Sequence, residues 1–415
     1  MRKNSKLITA LLACTAAAAL FAGCGNKNAG NTAASTAAAS TAAASKTEEK
    51  AEASAKSAGS GEVFKIGAIG PLTGGAAQYG TAVVNAAELA VAEINEAGGI
   101  NGYLVEYRGE DDEHDAEKAV NAYNTLKDWG MQILDGTTTS APCIAVAEKT
   151  ANDNMFQITP SGSAVDCVKN PNVFRVCFSD PDQGIASADY MAENELGTKI
   201  GIIYDSSDVY SSGIEAKFVE EAKAKGLDVF DPQAFTADSK TDFSAQLQNI
   251  SAAGCDVVFL PIYYTESSII LTQADKMGYD PIFFSCDGLD GILSMENFDT
   301  TLAEGVMLLT PFAADAEDEL TKNFVESYVA AYGEIPNQFA ADSYDAIYAI
   351  KEAAEAQGVT PDMSVSDICE ALKKGITSLK FAGLTSDEIT WSESGEPSKA
   401  PKAVIIEDGS YVSIQ

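Results

Sequence analysis

The stretch VFKIGAIGPLTGGAAQYGTAVVNAAELAVAEINEAGG (63–99) carries a strand signal, a turn and a helix signal in one run. Residues 63–70 are a short apolar segment. From Thr81 the apolar residues fall at helical spacing, and Gly98-Gly99 mark the stop. The connecting IGPLTGGAAQYG (69–80) is glycine-rich, and a turn of this kind beside a helix N-terminus offers free backbone N–H groups to an anion. It lacks the lysine of a GxxxxGK[ST] phosphate loop and the GxGxxG spacing of a dinucleotide turn, which argues against a nucleotide. A turn that serves packing alone remains the alternative.

The same unit recurs along the chain. YLVEYRGEDD, MQILDG, KIGIIYD, DVVFLPI and PIFFSCD are strand-like, and a helical pattern follows each. Repeated strand–helix units predict an α/β fold with right-handed crossovers and parallel sheets covered on both faces. One doubly wound, Rossmann-like sheet would use about half of a chain this long, so two lobes are expected. In such sheets ligands bind at the carboxyl ends of the strands. Several of those ends are rich in hydroxyl and small residues. DGTTTSAP (135–142) runs into a helix with Ser140 near its start, and ITPSGSA (158–164) follows the next strand. Hydroxyls and free N–H groups beside a helix N-terminus suit a small carboxylate.

Composition narrows the partners. Of 415 residues, 46% are hydrophobic and 21% charged, enough to bury a sizeable core. The 27 basic residues face 61 acidic ones, a net charge of −34. Nucleic acid is therefore not an expected partner, because binding it requires a basic face.

The N-terminus reads as an export signal. Arg2, Lys3 and Lys6 precede the apolar run LITALLACTAAAALFAG (7–23), and Cys24 follows Ala22-Gly23. A transmembrane anchor is the alternative, but 17 alanine-rich residues are short for one. The segment resembles a bacterial lipoprotein signal, which implies cleavage after residue 23 and a lipid on Cys24, with Phe21 where leucine is usual. Such a lipid would anchor the chain to a membrane. Residues 25–61 hold no aromatic or branched aliphatic residue, so 24–61 is expected to be a flexible tether. Its random-coil reach is about 30 to 37 Å.

The turn at 69–80, GGINGYLVEYRGEDDEHDAEKAV (98–120), DGTTTSA, ITPSGSA, VFRVCFSDPDQG (173–184) and YDSSDVYSSG (204–213) form an ordered series. It resembles the signature stretches of the type I periplasmic solute-binding proteins of ABC importers, in the leucine-isoleucine-valine binding branch. The resemblance covers about residues 62 to 410. It implies two lobes joined by a three-strand hinge, lobe 1 being 62–180 and 312–402 and lobe 2 being 181–311 and 403–415, with ligand trapped between them. It also implies roles. Ser140 matches the hydroxyl that holds an amino-acid carboxylate, and Ser161 and Ser163 fall where the family uses a backbone carbonyl and a threonine hydroxyl. Tyr263, in PIYYTESS, falls on a pocket tyrosine, and Asp287, in SCDG, on the acid that pairs with the ligand ammonium. Tyr79, Tyr210 and Phe339 fall on aromatic walls. Two departures stand out: the family's acid is often Glu, and His114 and Thr139 occupy the positions of a bridged cysteine pair.

Each of these residues also has a plainer reading. The tyrosines could be ordinary interface aromatics, Asp287 a helix cap, and the serines caps as well. Six cysteines remain after Cys14 and Cys24, and none has the spacing of a metal site, so neither metal nor cofactor is expected. With His114 as the single histidine, and with no GxSxG elbow, an enzyme is not expected. The expected function is extracytoplasmic capture of an amino acid, of branched-chain or similar type, and its delivery to the permease and ATPase complex of an ABC importer. The alternatives are another small solute, such as an amide, urea or aromatic acid, or a ligand sensor for a membrane receptor.

Overall fold

The opening apolar run forms strand β1 (Phe64–Gly70), in which every residue except Lys65 is buried, as a central parallel strand requires. The computed structural model describes residues 62–414; the expected signal segment 1–23, Cys24 and the tether 24–61 lie outside that range. After β1 come α1 (Ala77–Glu96), β2 (Val105–Asp111), α2 (Ala116–Trp129), β3 (Ile133–Gly136), α3 (Ser140–Asp153), β4 (Phe156–Thr159) and β5 (Val173–Arg175). These five strands form one sheet in the order β2-β1-β3-β4-β5, parallel throughout. The order reverses direction at β1, so the carboxyl ends of β1 and β3 diverge and leave a crevice there.

A second sheet is built from the next segment. Its elements are α4 (Asp180–Glu193), β6 (Ile200–Asp205), α5 (Val209–Lys225), β7 (Gln233–Phe235), α6 (Ser244–Ala252), β8 (Val257–Leu260), α7 (Tyr264–Met277), β9 (Ile282–Ser285) and β10 (Met307–Thr310). The chain then returns to the first sheet with α8 (Glu319–Tyr332), α9 (Gln338–Gln357) and α10 (Val365–Ile376), where α9 packs along α1. It finally joins the second sheet as β11 (Lys402–Glu407) and β12 (Ser410–Ser413). The sheet order is β12-β11-β10-β9-β8-β6-β7. Each sheet is thus the centre of a doubly wound lobe, and the chain passes between them three times.

Two features differ from the sequence expectation. The second sheet is not parallel throughout, because β11 and β12 run antiparallel to their neighbours. Their hairpin turns on Asp408-Gly409, both with positive φ (51° and 72°), the backbone of a two-residue primed turn. Helix α1 also starts at Ala77 rather than Thr81, which places Tyr79 in its first turn. The early start depends on Gly80, where a Cβ would sit 2.2 Å from the carbonyl oxygen of Pro71.

Candidate ligand-binding site

The carboxyl ends of β1, β3 and β4 face those of β8 and β9 across one narrow cleft. Tyr79, Ser140, Ser161, Ser163, Tyr210, Tyr263, Asp287 and Phe339 all line it. Thr138, Thr139 and Gly288 complete the lining. Thr138 and Gly288 stand outside the expected set, and Thr139 enters it only as the position of a replaced cysteine. The run TTTS was the available signal, since a turn of consecutive hydroxyl residues at a strand end points several of them inward.

One wall is polar and carries no charge. Thr139 stands at the N-cap of α3 and makes no side-chain capping bond, so the first-turn N–H groups keep their partial positive charge beside Ser140. Ser140 Oγ accepts the N–H of Ala164 at 3.1 Å, which ties this wall to the loop after β4. Ser161 Oγ donates to the carbonyl of Thr138 at 2.5 Å, and Ser163 is buried beside it.

The opposite wall carries the charge. Asp287 follows β9 and is 4% exposed. Its Oδ1 accepts from Tyr210 Oη at 2.6 Å, its N–H donates to Gln183 Oε1 at 3.3 Å, and its carbonyl accepts from Gln338 Nε2 at 3.1 Å. Burial pushes its carboxyl up to about 6, against the hydrogen bonds of Tyr210 and Gly288 that favour the ionised form. A Cβ on Gly288 would lie 2.6 Å from Tyr210 Oη, so glycine is required for that hydroxyl to reach the acid.

Aromatic rings close the ends. Tyr210 and Tyr263 stack with centroids 4.9 Å apart and 7° between planes, while Tyr79 lies 4.6 Å from Phe339 and 5.6 Å from Tyr263. Asp208 orients Tyr210 by accepting its N–H at 2.9 Å, and Asn337 caps the first turn of α9, where Phe339 sits. His114 joins the rim. Its Nδ1 lies 2.9 Å from Thr139 Oγ1 and its ring meets Tyr263 edge-on at 5.3 Å. The two residues that stand in place of the family's bridged cysteines therefore do touch, through a hydrogen bond. The six cysteines of the described residues are free and buried.

Residues 63–408 match the family model described as "Periplasmic binding protein". The chain belongs to that family. A periplasmic binding protein of this kind has relatives among curated proteins. The Leu/Ile/Val-binding protein homolog 3 of Brucella melitensis is 28% identical over 356 residues, 84% of this chain and 93% of the relative. In fold, the chain matches the branched-chain amino acid substrate-binding protein LivJ of Streptococcus pneumoniae, solved with isoleucine, at a TM-score of 0.77. The two are 26% identical, over 85% of this chain and 98% of that one. A solute-binding protein from R. palustris, solved with benzoate, matches at 0.75 and 21% identity over 85% and 95%, a likeness of fold. The fold is thus the two-lobed type I form, and the family is one of solute binders.

Proposed function

We propose that this protein binds an α-amino acid with an apolar side chain, of branched-chain or similar type, between its two lobes and hands it to the permease and ATPase of an ABC importer. The observation that supports this most is the opposition across the cavity. Hydroxyls and a helix N-terminus on the Ser140 side can hold a carboxylate, and Asp287 on the other side can pair with an ammonium. Aromatic rings between them suit an apolar side chain. An acid without an amine fits less well, because it would leave the buried Asp287 unpaired. We read lobe 1 as 62–180 and 312–402 and lobe 2 as 181–311 and 403–415. We also read Cys24 as the lipidated residue that holds the protein outside the cytoplasm.

Calorimetric titration with L-leucine, L-isoleucine and L-valine tests the ligand class. Saturable binding of at least one is expected, and its absence together with binding of benzoate would reverse the assignment. The anchor is tested separately by Cys24→Ala, which should move the protein from the membrane fraction to the soluble one. Retention in membranes after a high-salt wash would remove the lipid reading and leave the ligand reading untouched.

A further inference from the structure

His114 stands behind Thr139, outside the residues that line the cleft, yet its ring is fixed from several sides. Its backbone N–H donates to Asp112 Oδ1 at 2.8 Å, and its φ of 61° is a left-handed conformation. The ring meets Tyr263 edge-on at 5.3 Å, and Nε2 lies 3.9 Å from Asp208 Oδ2. The other nitrogen, Nδ1, lies 2.9 Å from Thr139 Oγ1. The ring therefore joins the N-cap residues of two helices that belong to different sheets, Thr139 of α3 and Asp208 of α5.

The two caps behave differently. Asp208 Oδ1 accepts the N–H of Tyr210 at 2.9 Å and that of Ser211 at 3.1 Å, so α5 is closed by its own cap. Thr139 has the extended backbone of a cap, with φ −107° and ψ 155°, and a hydroxyl of the right type, but makes no capping bond. A cap side chain takes the N–H of the second or third helical residue. The third residue of α3 is Pro142, which has no N–H, so the Ala141 N–H is the one donor a Thr139 cap can take. The hydroxyl is turned to His114 instead. Burial holds the imidazole below its usual range against the charge of Asp208, so the ring is neutral at pH 7. A carboxylate facing Nε2 selects the tautomer protonated there, which leaves Nδ1 to accept from the Thr139 hydroxyl.

We infer that His114 is a positioning residue for the ligand carboxylate: by holding the Thr139 hydroxyl away from α3, it keeps the Ala141 N–H open to the ligand. The inference rests on the reading of the Ser140 side as a carboxylate site, and is independent of the amine. Ser140 and Ala141 supply the only two N–H groups among the first three residues of α3. A threonine cap would remove one of them from the ligand's reach.

The test is a double-mutant cycle on the purified protein, titrated with L-leucine, or with whichever of the twenty L-amino acids or benzoate raises the melting temperature most if leucine raises none. His114→Gly removes the ring and adopts the left-handed backbone without strain. It should weaken binding at least about fivefold, inside the range of roughly 2- to 30-fold that one capping bond corresponds to. In a Thr139→Val background, where no hydroxyl is left to cap, the same substitution should change affinity by less than about twofold. A smaller loss in the first background would overturn the inference. A larger change in the second would do so too, by showing that His114 acts through its packing on Tyr263. Hydrogen exchange provides a check without any substitution: the Ala141 amide should be unprotected in the unliganded wild type and protected by ligand. Protection without ligand, or none with it, would equally overturn the inference. Benzoate separates this claim from the amino-acid reading, because it has a carboxylate and no amine. A wild type that binds benzoate and no amino acid would end the amino-acid reading, and the same cycle run with benzoate would still decide the role of His114. Binding of neither would overturn both.

Discussion

Tyr210 donates its hydroxyl hydrogen to Asp287 Oδ1 at 2.6 Å, and the same Oη accepts the N–H of Gly288 at 2.9 Å. One side chain from α5 thereby fixes both the acid and the backbone that carries it. Asp287 could swing toward solvent without it, because the turn after β9 has no long regular element to hold it.

That relationship ranks three substitutions. Asp287→Asn removes the charge opposite the ligand amine and should cost about 2 to 5 kcal/mol of binding, or roughly 30-fold to several thousand-fold. Tyr210→Phe keeps the ring stacked on Tyr263 but frees the acid, and should cost about 1.5 to 3 kcal/mol, the range for a hydrogen bond to a charged group. Ser140→Ala should cost about 1 to 3 kcal/mol, since the N–H groups of α3 still face the carboxylate. Calorimetric titration with the bound amino acid gives the order, and a Tyr210 variant weaker than the Asp287 variant would show that the acid is not the main anchor.

The pH dependence follows from burial. Asp287 titrates at about 6 in the folded protein against an ordinary 3.8, so the folded state holds more protons than the unfolded chain between these values. Its contribution to stability is then full below about pH 4 and is lost as pH rises through about 6. Asp287→Asn removes this dependence, and urea titrations of the unliganded protein should show the variant gaining on wild type by on the order of 3 kcal/mol between pH 4 and pH 8. Ligand affinity should move the opposite way in wild type, weakening as pH drops below about 6, because the amine pairs with the ionised acid. A flat affinity profile from pH 5 to 8 would contradict the pairing.

The passages between lobes contain a buried ion pair whose loss should be costly. Lys399, on the last passage, bonds to Asp342 of α9 and to the carbonyl of Val176, on the first passage, at 3.0 Å. The two charged side chains are 0% and 1% exposed. Lys399→Met leaves Asp342 buried and unpaired, and should destabilise by about 3 to 5 kcal/mol in urea unfolding. Combining it with Asp342→Leu should restore much of that loss. A double variant as unstable as the single one would mean that the pair acts through its packing.

Much of this architecture was legible because its central strands are uninterrupted apolar runs. VFKIGAIG, KIGIIYD and DVVFLPI need no partner to be recognised, since parallel strands are buried on both faces. The antiparallel β11–β12 hairpin was missed because its strands are half-exposed, although Asp408-Gly409 marks the turn. In the site, Ser140, Ser161 and Ser163 announced themselves as hydroxyls at strand ends. Tyr79, Tyr210, Tyr263 and Phe339 lie on four separate helix starts, and only the family resemblance grouped them. Gln183, whose Oε1 accepts the Asp287 N–H, was hidden within SDPDQG, which reads as an ordinary helix start, and Ser179 does cap it.

Closure between the lobes should depend on Tyr79. Its hydroxyl donates to the Gly288 carbonyl at 2.5 Å and accepts the Tyr264 N–H at 3.2 Å, linking α1 of one lobe to α7 and the turn after β9 of the other. Thr265 Oγ1 adds a bond to the Gly75 carbonyl at 2.6 Å, but it is exposed and open to water. Tyr79→Phe keeps the ring against Phe339 and strips the hydroxyl, leaving a carbonyl and an N–H unpaired in the closed form and hydrated in the open one. The closed form should lose about 1 to 3 kcal/mol, and apparent affinity should fall by the matching factor of roughly 5 to 150, because less of the protein is competent to hold ligand. Small-angle scattering distinguishes this from a lost ligand contact. The unliganded variant should have a larger radius of gyration than unliganded wild type, and saturating ligand should bring the two to the same value. If the affinity falls while the unliganded radii agree, the hydroxyl acts on the ligand itself and the closure argument is wrong.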